Sequence, residues 1–253
     1  MITISKTLSG ETQEKGQTLT IETGEIMGIT GTAGAGKTSL LKSAAGIISG
    51  YHDVLINGQN PFSIAQKDKN ILISHNIGIS MKNREELLLD FLITSRIPFK
   101  KRFHSFGDID REICEKYASS LELTDYLDKP LGSLSPSLLR RSLVCFSLIR
   151  EAEVLILDEP SALQDLRSAV NLVRALTRFA AAGPATILIA SNDINFVLQV
   201  ADRIAIIHNH AVAEVLSPAG IDSDIIEKYF RTETLISRNI YNGRPMVHYY
   251  TEN

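Results

Sequence analysis

The chain has 253 residues, 44% of them hydrophobic, and a formal charge of −3. That is enough apolar material for one α/β domain or one with a sizeable insertion, and it leaves no basic footprint, which argues against nucleic acid as a partner. No apolar run reaches bilayer-spanning length: Leu87 to Ile93 is broken by Asp90, and Ile187 to Ala190 is far too short. A soluble protein is expected. The start, Met1-Ile2-Thr3-Ile4-Ser5-Lys6, lacks the pattern of a signal peptide, and Cys114 and Cys145 are too well separated to suggest a disulfide framework. Both features favour the cytosol, with each cysteine a buried small hydrophobe.

Residues 1–24 alternate weakly, Leu19 and Ile21 against Thr18 and Thr20, which predicts an antiparallel strand pair. No Phe, Tyr or Trp precedes Tyr51, so the first fifty residues hold no aromatic ring to stack on a nucleotide base. Glu25 to Thr30 reads as a short buried strand. It runs into Gly31-Thr32-Ala33-Gly34-Ala35-Gly36-Lys37-Thr38, which fits the phosphate-loop pattern G-x-x-x-x-G-K-[S/T] at every specified position. Leu40, Leu41, Ala44, Ala45 and Ile48 then recur at helical spacing. Strand, loop and helix together form a nucleotide-phosphate cradle: glycines let successive N–H groups face one anion, and the helix start adds its positive dipole end. Lys37 is placed to reach the β- and γ-phosphates, and the Thr38 hydroxyl to hold Mg²⁺.

Val54-Leu55-Ile56 before Asn57-Gly58 predicts a hairpin, and Ile71-Leu72-Ile73 a short strand ending at Ser74-His75-Asn76. From about Lys82 to Arg150 apolar residues recur at helical spacing, as in Leu87, Leu88, Phe91 and Leu92, then Ile113, Tyr117 and Leu121, a helical insertion. Within it Phe99-Lys100-Lys101-Arg102-Phe103-His104 reads as a solvated loop, with a partner or membrane-surface contact as the alternative. The continuous apolar run Val154 to Leu157 predicts a central parallel strand and ends in Asp158-Glu159-Pro160. An acid pair at that position, with a phosphate loop in the chain, points to Mg²⁺ at Asp158 and a general base or water-orienting group at Glu159. Thr186–Ala190 and Arg203–Ile207 are two more core strands, separated by a helix through Phe196, Val197 and Val200. The last thirty or so residues read as a helix and a short tail turning at Asn242-Gly243-Arg244-Pro245.

Phosphate loop, helical insertion and acid strand together resemble the ATPase subunit of ABC transporters over nearly the whole chain. The resemblance implies an α/β P-loop NTPase fold, RecA-like, with a mixed sheet core, N-terminal antiparallel strands and an inserted helical subdomain. Residues 1–81 and 151–220 would be the ATP-binding core, 82–150 the helical subdomain, and 221–253 a C-terminal helix and tail. Within the family, Ile97-Pro98-Phe99 followed by Phe103, Asp108 and Asp110, and the ending Ser237-Arg238-Asn239 to Gly243-Arg244-Pro245, resemble the importers of iron-siderophore, haem and vitamin B12 type.

Several family positions are altered. Where the family carries the signature Leu-Ser-Gly-Gly-Gln, this chain has Leu134-Ser135-Pro136-Ser137-Leu138; Arg141, Leu148 and Arg150 follow where the signature helix runs into the acid strand. Ser135 makes a good N-cap with Pro136 at the first helical position, but Pro136 removes an N–H, Ser137 replaces a glycine and Leu138 a glutamine. The linking glutamine aligns near Asn76, with His75 as the other candidate. The switch histidine aligns with Asn192, and the aspartate after the acid strand with Gln164. Asn192 can hydrogen-bond a phosphate but carries no charge.

The resemblance implies ATP and Mg²⁺ as cofactors, a transmembrane permease and a second ATPase subunit as partners, and a cytoplasmic place on the inner face of the membrane, held only through the permease. Two functions stay open. One is a transport ATPase with slow turnover. The other is a degenerate nucleotide-binding subunit that regulates or assembles a heteromeric complex.

Overall fold

The computed structural model describes residues 1–6, 17–50, 52–100 and 105–249. Strands β1 (Ile2–Lys6) and β2 (Leu19–Ile21) pair antiparallel, as the alternation predicts. Strand β3 (Ile26–Thr30), buried at every position, feeds the glycine-rich loop and helix α1 (Lys37–Ala44). Strand β4 (His52–Ile56) returns to pair with β1, giving a three-stranded sheet in the order β2-β1-β4. Asn57-Gly58 does make a tight turn, with positive φ at both residues, but only Ile56 and Gln59 bridge across it. The predicted hairpin is therefore one bridge long; the ladder of β4 goes to β1.

Ile71 and Leu72, expected in a strand, end helix α2 (Gln66–Leu72), and only β5 (Ile73–His75) is extended. An apolar triplet fits either state, and here the helix preceding it reaches two residues further. Between β5 and its neighbour β6 (Val154–Asp158) the chain makes one long excursion through α3 (Leu88–Ile93), α4 (Asp108–Ser120), α5 (Pro136–Ile149) and three short 3₁₀ turns. Helix α6 (Leu166–Ala181), β7 (Thr186–Ala190), α7 (Ile194–Val200), β8 (Arg203–His208) and β9 (Ala211–Leu216) complete the core. Helix α8 (Ser223–Phe230) follows. The expected short tail is instead a two-stranded ribbon, β10 (Thr234–Arg238) with β11 (Pro245–Tyr249), anchored where Asn195 of α7 exchanges hydrogen bonds with Val247 at 2.8 and 3.0 Å.

The six-stranded sheet runs β5-β6-β7-β3-β8-β9, parallel except for β9. Its side chains divide strictly by alternation. Leu155, Leu157, Ile187, Ile189, Ile204 and Ile206 share one apolar cluster with residues of α5, α6 and α7. Ile156, Leu188, Ala190, Ala205 and Ile207 share the other with α1 and the three-stranded sheet. Each such Leu or Ile contributes about 1.5–3 kcal/mol on burial. Two helices beside the central strands start on side-chain caps that suit them: Asp165 accepts from Ser168 N at 2.7 Å and Asp193 from Phe196 N at 3.1 Å. Both cysteines are buried and free; burial pushes the Cys114 thiol up to about 11 and the Cys145 thiol well above its ordinary range, so both are inert packing groups. No helix among the described residues is long and apolar enough to cross a membrane.

In the cation cluster the described part is not free. Lys100 pairs with Asp110, and Arg96 lies over the Phe99 ring at 4.4 Å. Lys101 to His104 lie outside the described residues.

Candidate functional site

The carboxyl ends of β3, β6 and β7, three adjacent central strands, meet at one cleft. Gly31 opens the loop at φ 148°, where an added Cβ would stand 2.3 Å from the Ile207 carbonyl oxygen; no other residue fits that approach. Lys37 is buried, and its Nζ donates to the carbonyl oxygens of Gly31 at 2.7 Å and Thr32 at 3.0 Å. Burial lowers its pKa from the ordinary lysine range, against the opposing charges of Glu159 and Asp158. The ammonium is thus partly desolvated, close to two carboxylates, and held by neutral carbonyls that an anion can displace.

Thr38 Oγ1 donates to Asp158 Oδ2 at 2.9 Å, closing the helix start onto the end of β6. Asp158 is fixed from behind. Asn76, 4% exposed, donates to its carbonyl oxygen at 3.0 Å and accepts from its N–H at 2.8 Å. The amide of Asn76 is therefore engaged with the backbone of Asp158, and Asn76 is not among the residues that line the cleft. His75, the other candidate, is half-buried, and burial followed by the charge of Arg150 pulls its pKa below the ordinary value.

Glu159 has φ 48°, a left-handed conformation uncommon outside glycine. Its N–H donates to the Ala190 carbonyl at 2.8 Å, and its carboxylate accepts from the Asn192 backbone N–H at 3.0 and 3.2 Å and from Ser191 Oγ at 3.3 Å. The Ser191 hydroxyl is fully buried, 3.0 Å from Ser161 Oγ, and accepts from Asp193 N at 3.1 Å. The carboxylate is thus held by two consecutive residues just beyond the end of β7.

The cleft brings together Ala33, Gly34, Gly36, Lys37, Thr38, Glu159 and Asn192. Gly31, Thr32 and Ala35 build the loop without lining the cleft. The start of α5 is elsewhere. Ser135 accepts from Leu138 N at 3.3 Å, with Pro136 opening the helix as its cap chemistry predicts. Ser137 donates to Gln164 Oε1 and its carbonyl accepts from Gln164 Nε2, both at 3.3 Å. Gln164 is followed by Asp165, so this segment does hold an aspartate, and α6 uses it as an N-cap.

Two cleft residues were not foreseen, Ser39 and His210. His210 sits in the two-residue turn between β8 and β9. The pair Asn209-His210 between two apolar strands was the available signal, but its place beside the phosphate loop follows only from the sheet order.

The family model described as ABC transporter matches residues 15–162, more than half of the chain. An uncharacterised ABC transporter ATP-binding protein of Methanocaldococcus jannaschii is 28% identical over 210 residues, 82% of this chain and 72% of the relative. A petrobactin import ATP-binding protein of Bacillus anthracis is 23% identical over 90% of this chain and 84% of its own length. A hemin import ATP-binding protein of Vibrio vulnificus is 25% identical over 88% and 87%. Among solved structures, an inward-facing transporter described as of metal-chelate ABC type superposes with a TM-score of 0.75 at 17% identity, covering 98% of this chain and 96% of that one. A dimeric bacterial ABC transporter cassette gives 0.76 at 19% identity, over 87% and 100%.

Proposed function

The chain belongs to the ABC transporter family as an ATP-binding subunit, an ATPase of mixed α/β fold, and on that premise we propose that it powers a permease importing iron-siderophore or other metal-chelate cargo. The observation that carries the hydrolytic part is the cleft itself: Lys37 over the phosphate loop, Thr38 bonded to Asp158, and Glu159 braced by the Asn192 N–H. The cargo class is supported by the names of the petrobactin and hemin relatives and by the Ile97-Pro98-Phe99 and Gly243-Arg244-Pro245 segments.

Thr38 and Asp158 fit Mg²⁺, because a hydroxyl and a carboxylate oxygen lie 2.9 Å apart at the mouth of the loop, the hard oxygen donors that this cation takes. When bound, the ion would neutralise charge on the β- and γ-phosphates. Lys37 exchanges its two carbonyls for those phosphates, the loop N–H groups stabilise the charge that develops on them, and Glu159 accepts a hydrogen bond from the attacking water. Asn192 offers its amide to the γ-phosphate. A second ATPase subunit supplies the facing helix start equivalent to Ser135, and the permease holds the pair on the inner face of the membrane. Residues 82–150 form the unit that contacts the permease.

A second reading is favoured by one observation. Ser137 has both its hydroxyl and its carbonyl tied to Gln164 of the same chain, so the altered signature is engaged in cis. In that reading the chain holds ATP and regulates a more complete partner. Purified protein is expected to release phosphate from ATP in Mg²⁺ and not in excess EDTA. Release no greater than in EDTA, with ATP still bound, would give the second reading. Cells without the chain should lose uptake of a ferric chelate or haem, and unchanged uptake of both would refute the cargo class.

A further inference from the structure

We propose that the imidazole of His210 stacks on the base of the bound nucleotide, supplying a ring that the first fifty residues lack. The inference rests on the cleft being the ATP site. Those residues contain no Phe, Tyr, Trp or His. His210 is brought to the loop by the β8–β9 turn. Its N–H donates to the Ala35 carbonyl at 2.9 Å, and a Cβ built on Gly36 would stand 2.8 Å from its Nδ1. The side chain therefore stands against the cradle at Gly36 and lines the same cleft as Lys37 and Thr38.

Sheet order says which end of the nucleotide it meets. Glu159 and Asn192 stand at the ends of β6 and β7, on one side of β3, whereas β8 and β9 lie on the other. A triphosphate with its terminal group at Glu159 runs over the loop with its nucleoside end toward His210. The hairpin is also where the chain leading into β2 returns, since Gln17 N donates to the Val212 carbonyl at 3.0 Å. Backbone conformation argues the same way. Asn209 and His210 have φ of 49° and 60°, the paired left-handed residues of a tight hairpin turn, where glycine is the easy choice at the second position. Histidine is among the non-glycine residues that take this conformation more readily, and the turn thereby fixes the ring beside the loop. Imidazole is planar and stacks on any base, as other aromatic side chains do in nucleotide-binding grooves.

Calorimetric titration of the full chain with ATP and with inorganic tripolyphosphate tests this on His210→Ala, His210→Gly and His210→Phe. His210→Ala and His210→Gly should weaken ATP about tenfold and leave tripolyphosphate unchanged, while His210→Phe should keep ATP affinity. His210→Gly should melt no lower than the parent without nucleotide, because glycine relieves the left-handed backbone, which separates a lost contact from a lost fold. Unchanged ATP affinity in His210→Ala and His210→Gly would overturn the proposal. So would equal losses of ATP and tripolyphosphate, which would make the ring a phosphate contact. A parent chain that binds neither would refute the ATP site itself.

Discussion

Replacing Glu159 by glutamine separates chemistry from architecture, because the hydrogen bonds around the carboxylate can be followed one by one. Glu159 accepts from Asn192 N at 3.0 and 3.2 Å and from Ser191 Oγ at 3.3 Å. In Glu159→Gln the carboxamide oxygen keeps the Asn192 N–H, and its NH₂ group faces Ser191 Oγ, which accepts while donating to Ser161. Two bonds, Ser191 to residue 159 and Ser191 to Ser161, reverse direction, and the longer of the two Asn192 N–H contacts is lost, but every group keeps a partner, so the folding cost is about 1 kcal/mol. What disappears is the capacity to take a proton from water, a loss of about 10²–10⁴-fold, or roughly 3–5 kcal/mol of barrier. Phosphate release at saturating Mg-ATP should therefore collapse while ATP binding and the melting temperature hold, and an ATP-bound dimer should accumulate on gel filtration. Phosphate release equal to the parent would refute the part assigned to Glu159.

Three further expectations test other parts of the molecule. Asn192→His should speed phosphate release several-fold, since the backbone N–H that braces Glu159 is untouched and a chargeable ring is added beside the γ-phosphate; slower release would argue that Asn192 is required as it stands. Gly28→Ala should lower stability by about 1–3 kcal/mol in a urea titration, because its Cβ would stand 2.3 Å from Val197 Cγ1 and 2.9 Å from Ala201 Cβ and push α7 off β3; an unchanged midpoint would contradict that packing. Asp110 is the pH test. Burial raises its pKa, but the Lys100 hydrogen bond, the Gly107 N–H at 3.0 Å and the Lys100 and Arg96 charges outweigh it and hold the carboxyl below its ordinary 3.8. A depressed folded pKa gives stability that is complete above the unfolded value and lost as pH falls through the folded one. The melting gap between the parent and Asp110→Asn should be full near neutrality and narrow below about pH 4. A gap that widens in acid would refute the ion pair.

Legibility followed the range of the interactions involved. The phosphate loop, the strand ending Asp158-Glu159 and the core strands Thr186–Ala190 and Arg203–His208 were readable because each is set by local chemistry: glycines that permit the turn, and apolar runs that must be buried on both faces. Helix α5 was readable down to its first residue from Ser135 and Pro136. Ile71 and Leu72 were misread because three apolar residues have no period, and the ribbon β10–β11 because its strands are half exposed and take their place from α7. Asn76 and His210 depend on neighbours that are distant in sequence. Asn76 meets Asp158 only because β5 and β6 are adjacent, and His210 meets Gly36 only because β8 lies beside β3.

The substitutions that read as losses in the sequence do not fall evenly on the structure. Glu159 is braced by the backbone N–H of Asn192, a donor that any residue but proline provides, so exchange of the side chain at 192 leaves the orientation of the carboxylate intact. Asn76 likewise binds the backbone of Asp158 and keeps the end of β6 beside Thr38. On the proposed reading, the groups that would hold the reacting end of ATP within one chain thus keep their backbone supports. Pro136, Ser137 and Leu138 are different, because on the proposed reading they face a nucleotide held by the other subunit, and there the chain has lost an N–H and has tied Ser137 to Gln164. Any slowing of the cycle should therefore appear in dimer closure, with the chemical step itself kept. A partner with an unaltered signature would relieve it at one of the two sites.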